Sequence, residues 1–107
     1  MTPELLLAFD DETAQATRLA AALDVPLALI ERHRFPDGET RLRLPPSLPA
    51  QVVLLRGLHR PNDKLAELLI ACPAARALGA QQLLLVSPYL AYMRQDIAFT
   101  PGEAVSQ

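Results

Sequence analysis

The run QVVLLR (residues 51–56) decides the fold. Successive side chains of a strand point to opposite sides, so four apolar residues in a row require burial on both. Strands buried on both faces belong to parallel sheets covered by helices, whereas half-exposed antiparallel strands alternate apolar and polar residues. Pro45, Pro46 and Pro49 form a stiff connector ahead of this run, and Arg56 ends it.

Toward the N-terminus the pattern changes. In residues 39–44, Glu39, Arg41 and Arg43 point one way while Thr40, Leu42 and Leu44 point the other, so one face is wet. Phe35-Pro36-Asp37-Gly38 precedes it, where Pro sets φ and Gly supplies a positive φ, and residues 27–34 form the other arm of a hairpin. Residues 4–9 read as a first strand, followed by Ala16, Leu19, Ala20 and Leu23 at helical spacing, with Pro26 closing that helix. Between them lie Asp10, Asp11 and Glu12, which are expected to cap free helix N–H groups and oppose the positive dipole end; a metal site is the other reading.

Toward the C-terminus, Asn62 is expected to cap a helix with Leu65, Leu68, Leu69 and Cys72 on one stripe. Pro73 has no N–H for the Leu69 carbonyl, so a kink is expected there before the helix stops at Gly79. Residues 82–87 are the last strand. The fold class that follows is α/β, a mostly parallel twisted sheet with flanking helices and a β-hairpin excursion. Five strands are served by only two helices, and residues 102–107 look like the opening turn of a third. Residues 1–107 are therefore expected to be a partial N-terminal α/β domain of a longer chain.

Composition narrows the function. With 107 residues, half of them apolar, the chain can build one core. A formal charge of −2 argues against a nucleic-acid partner, so any anion site must be local. Cys72 is the single cysteine, which excludes an intrachain disulfide and suits a cytoplasmic location. The N-terminal apolar run is short and lacks a basic start, so neither a signal peptide nor a membrane span is expected. His33 and His59 show no metal-ligand spacing and read as structural or surface residues. There is no GxGxxG, no GxxxxGK[ST], and no elbow around Ser47, Ser87 or Ser106.

Two segments could carry chemistry. PYLAYMRQD (residues 88–96) emerges beyond the carboxyl end of a parallel strand, where open α/β sheets bind ligands. Arg94 offers a five-donor fork suited to phosphate, Gln95 donates and accepts, and Asp96 could orient Arg94. Alternatively Tyr89 and Tyr92 pack on the sheet rim, and Arg94 with Asp96 is an ordinary surface pair. RFPDGE (residues 34–39) sets Phe35 beside carboxylates, an aromatic face next to acceptors that would suit a stacked purine. The other reading has Phe35 plugging a neighbouring surface or folding back onto the core. Arg32, Arg34, Arg41 and Arg43 crowd the hairpin and are expected to be solvated.

Taken together, RFPDGE, RPNDKLAELL (residues 60–69) and PYLAYMRQD resemble, in the same order, the N-terminal half of ribose-phosphate pyrophosphokinases. The resemblance implies a phosphoribosyltransferase-like fold and a two-domain subunit that assembles into homo-oligomers, dimers that often build hexamers. It implies transfer of the diphosphoryl group of Mg-ATP to the C1 hydroxyl of ribose 5-phosphate, giving phosphoribosyl pyrophosphate for nucleotide, histidine and tryptophan synthesis. By position, Phe35 would stack on adenine, and Asp37, Gly38 and Glu39 would line the base pocket. Arg94 and Gln95 would contact ATP across a subunit boundary. Ile97, Ala98 and Phe99 stand where many members carry basic residues, which puts charge contacts there in doubt. The family's Mg2+-binding histidine, its basic catalytic loop and its acidic-pair and Thr-Gly-Gly segment for ribose 5-phosphate would all follow Gln107. No catalytic residue is then expected within residues 1–107, and this stretch alone should be inactive. The alternatives are a non-catalytic relative acting as a regulatory subunit of a synthetase, and a phosphoribosyltransferase, against which the RFPDGE hairpin speaks.

Overall fold

A computed structural model describes residues 1–89 and 101–102. Among the described residues, five strands, two α-helices and a short 3-10 helix follow one another: β1 (Leu5–Phe9), the 3-10 helix (Asp10–Glu12), α1 (Thr13–Leu23), β2 (Leu27–Arg34), β3 (Thr40–Arg43), β4 (Gln51–Leu55), α2 (Pro61–Ala77) and β5 (Gln82–Val86). They form one sheet in the order β3-β2-β1-β4-β5. All neighbouring pairs are parallel except β2 with β3, which are antiparallel.

The apolar run that predicted two-faced burial sits as expected. Val52 and Leu54 join Leu7, Phe9 and Ile30 in a core under α2, which contributes Leu68, Ala71 and Ala75. On the opposite face Val53 and Leu55 join Leu6 and Ala8 under α1, which contributes Ala16 and Ala20. One helix per face covers the central strands and leaves β5 partly bare, with Leu84 51% and Leu85 41% exposed.

Three local expectations are corrected. The residue ahead of α2 is Arg60, in the left-handed region (φ 51°), with Pro61 in the first turn; Asn62 lies inside the helix. Proline suits that place because its missing N–H has no intrahelical partner there. The buried stripe of α2 is Leu68, Ala71 and Ala75 with Glu67, whereas Leu69 is 77% exposed and Leu65 and Cys72 are half-buried. Small alanines let the helix approach the sheet, and Leu69 falls outside the contact. The helix is not interrupted at Pro73 but continues through it to Ala77, with Leu78 as its C-cap. The expected third helix at residues 102–107 lies almost wholly outside the described residues, and no helix among those described is long and apolar enough to cross a membrane.

Candidate functional site at the hairpin and the carboxyl ends of the strands

The expected hairpin forms, with Arg34 opposite Thr40 and Arg32 opposite Leu42. Its tip is closed by main-chain bonds, Phe35 N–H to the Glu39 carbonyl at 2.8 Å and Gly38 N–H to the Phe35 carbonyl at 2.9 Å. The Asp37 carboxylate accepts from the Glu39 N–H at 3.1 Å, a local turn that asparagine and aspartate favour. Gly38 sits at φ 94°, and a Cβ there would meet no atom within 4 Å, so backbone conformation alone calls for glycine. Phe35 is 39% exposed, its ring meeting only the edge of His33 at 4.6 Å among the described rings. It belongs to neither buried core cluster. Asp37, Gly38 and Glu39 are exposed around it.

At the carboxyl ends of β1 and β4 lies a group of charges that sequence reasoning missed. Arg56 is fully buried, and its guanidinium lies over the Phe9 ring at 4.2 Å. Its Nη1 donates to Asp11 at 2.6 Å and Glu12 at 2.8 Å, and its Nη2 to Glu67 of α2 at 2.5 Å. Arg32 at the end of β2 donates through Nε to Asp10 at 2.8 Å. Its Nη1 also lies 3.5 Å from both Asp11 and Glu67. The acidic trio therefore does not cap a helix by its side chains; no side-chain cap bond is made at the start of the 3-10 helix Asp10–Glu12 or of α1. The physical reason is Arg56, whose charge could not be buried without carboxylate partners. A signal was present in the chain, an arginine ending an apolar run opposite three carboxylates, but nothing in it said which of them converge.

Burial pushes the Asp10 carboxyl up, yet bonds from the Arg32 side chain and N–H outweigh it and hold it below the ordinary range. Arg32 is correspondingly more basic: burial lowers it, and Asp10, Asp11 and Glu67 more than reverse that. Four carboxylates face two guanidiniums here. Doubly wound sheets commonly bind ligands at this place, but its acidic excess repels phosphate. Among the described residues no group of three His, Cys, Asp or Glu side chains is arranged to hold a metal ion.

The expected solvated face of the hairpin is half corrected. Arg34 pairs with Asp63 of α2 at 3.3 Å and Arg32 with the cluster above, while Arg43 reaches Glu31 only at 3.8 Å between exposed side chains. Beyond β5, Tyr89 stacks on His59 at 4.2 Å, and its carbonyl accepts from the Leu58 N–H at 3.0 Å and from the Ser87 hydroxyl at 2.7 Å. The base of the segment that leads to Arg94 is thereby fastened to the loop after β4. Arg94, Gln95, Tyr92 and Asp96 lie outside the described residues.

Comparison with known proteins then decides the family. Residues 5–107 match the model of the N-terminal domain of ribose phosphate pyrophosphokinase. The chain belongs to the ribose-phosphate pyrophosphokinase family. It is 43% identical over 103 residues to the ribose-phosphate pyrophosphokinase of Methanopyrus kandleri, covering 95% of this chain and 35% of that protein. It is 43% identical over 90 residues to the ribose-phosphate pyrophosphokinase of Saccharolobus solfataricus, covering 82% of this chain and 31% of that one. Its fold superimposes on the phosphoribosylpyrophosphate synthetase of Mycobacterium smegmatis with a TM-score of 0.80 at 25% identity, over 95% of this chain and 35% of the other. A purine phosphoribosyltransferase from Pyrococcus horikoshii shares the fold at 22% identity and a TM-score of 0.62, over 84% of this chain and 66% of that one. This pyrophosphokinase-family chain thus spans about a third of the length of the relatives it matches.

Proposed function

We propose that residues 1–107 are the ATP-contacting N-terminal part of a ribose-phosphate pyrophosphokinase. The full-length protein would transfer the diphosphoryl group of Mg-ATP to the C1 hydroxyl of ribose 5-phosphate. The observation that carries this reading is Phe35, an aromatic ring left 39% exposed at the tip of a hairpin whose turn is closed by three hydrogen bonds. A ring held so, among the acceptors Asp37 and Glu39, matches the needs of adenine: a flat apolar face to stack on, and a partner for its exocyclic amine. By the resemblance to the family, Arg94 and Gln95 would contact the triphosphate from another subunit, and the acidic cluster at the strand ends is poorly suited to that role. Homo-oligomer assembly in the cytoplasm follows from the same reading. Mg2+ would be held by groups beyond residue 107.

Replacing Phe35 with alanine tests the proposal. ATP affinity should fall by about 1–3 kcal/mol, the usual worth of a stacked base, with the melting temperature nearly unchanged because the ring is half in water. A lowered melting temperature with intact ATP affinity would make Phe35 a packing residue and end this reading.

A further inference from the structure

The motif RPNDKLAELL has no part in the nucleotide reading, yet two of its carboxylates face the hairpin. Asp63 and Glu67 lie four residues apart on α2, one turn along the same face and about 6 Å apart along the axis. Arg32 and Arg34 lie two residues apart on one face of β2, about 6.6 Å apart. The two spacings match, and the pairs form in register: Arg34 Nη2 is 3.3 Å from Asp63, and Arg32 Nη1 is 3.5 Å from Glu67. Between helix and hairpin is a polar cleft of about 370 Å³ lined by these four side chains and Thr40. Glu67 is itself held by Arg56, which directly follows the interior strand β4, and α2 is anchored in the core through Leu68, Ala71 and Ala75. A two-stranded arm is marginal by itself. Here it is tied at two points to an element that cannot move independently of the sheet.

We infer that Asp63 and Glu67 are positioning residues, which hold the hairpin against α2 and so set where Phe35 is presented. The tether stands on geometry alone; its consequence for ATP rests on the function proposed above. The outer pair, with side chains 55% and 70% exposed, is too wet to contribute much to global stability. Its removal frees the hairpin without unfolding the domain.

The test uses the 107-residue chain in four forms: wild type, Asp63→Asn, Glu67→Gln, and the charge swap Arg34→Asp with Asp63→Arg. Backbone 15N order parameters at Phe35, Glu39 and Thr40 are measured beside the melting temperature and an ATP titration. In Asp63→Asn the order parameters should drop from about 0.85 to below about 0.6 at an almost unchanged melting temperature, and the charge swap should restore them. Glu67→Gln should loosen the same residues, and Asp63→Asn decides the matter if that variant fails to fold. Unaltered order parameters in Asp63→Asn, or a swap as loose as the single variant, overturn the inference. A loosened hairpin with about tenfold weaker ATP binding, within the range a lost stacking partner gives, supports both tether and consequence. A loosened hairpin with ATP binding unaltered upholds the tether and overturns its consequence for ATP, while the nucleotide reading itself stands or falls with Phe35→Ala in the full-length protein.

Discussion

Arg56 is the residue around which the described structure is arranged, and its value lies in what its loss would strand. Substitution by methionine keeps the volume roughly but leaves Glu67, 4% exposed, as a buried carboxylate without its closest partner. Such a break costs about 3–5 kcal/mol, whereas exchanging both members of a buried pair for apolar residues is often neutral. Arg56→Met should therefore lower the denaturant midpoint strongly, and Arg56→Met with Glu67→Met should recover part of the loss; a double variant worse than the single one would contradict this account. Asp10 predicts a pH effect. Its carboxyl titrates below the ordinary 3.8 in the folded chain, so its charge favours folding above that pH, and the contribution disappears as pH falls through the lower folded value. Asp10→Asn should be less stable than wild type at neutral pH and converge with it as pH falls through the lowered folded value, as followed by denaturation at a series of pH values. Phe35 was legible as a candidate from its neighbours in the chain, because turn chemistry is local. Arg56 was not, since its three partners come from residues 11, 12 and 67.

At the scale of elements, local rules placed β1, β2, β4 and β5 and the hairpin within a residue or two, because their signals are periodicity and turn residues. Where the rules failed, packing had intervened: the acidic trio answers to buried arginine, and the stripe of α2 is turned toward its alanines. The connection after α2 supplies a sharp prediction. Gly79 sits at φ 127°, and a Cβ there would come 2.5 Å from the Leu48 carbonyl oxygen, which is itself fixed by the bond from Leu48 N–H to the Leu78 carbonyl. Gly79→Ala combines a disfavoured backbone with a clash against main chain, and should cost more than the roughly 1–3 kcal/mol of backbone strain alone. Gly38→Ala, with open space around it, should cost no more than that strain. Equal melting temperatures for the two variants would show that the Leu48 contact is not restrictive.

Over the whole molecule, the chain covers about a third of its relatives' length, and β5 stands at a sheet edge with Leu84 and Leu85 exposed on opposite faces. Phosphoryl transfer depends on positioning and on neutralising charge, and the described residues offer an acidic cluster rather than a phosphate cradle. The purified 107-residue chain should show no formation of phosphoribosyl pyrophosphate from ATP and ribose 5-phosphate; detectable turnover would refute this. The sequence by itself determined the parallel α/β class, the hairpin and the family, because apolar periodicity, turn chemistry and motif spacing are properties of neighbours along a chain. Only the tertiary structure decided that Asp10, Asp11, Glu12 and Glu67 gather around Arg32 and Arg56, and that α2 grips the hairpin through Asp63 and Glu67. Charges find partners by distance in space, and the fold sets that distance by bringing together strand ends and a helix turn that lie tens of residues apart in sequence.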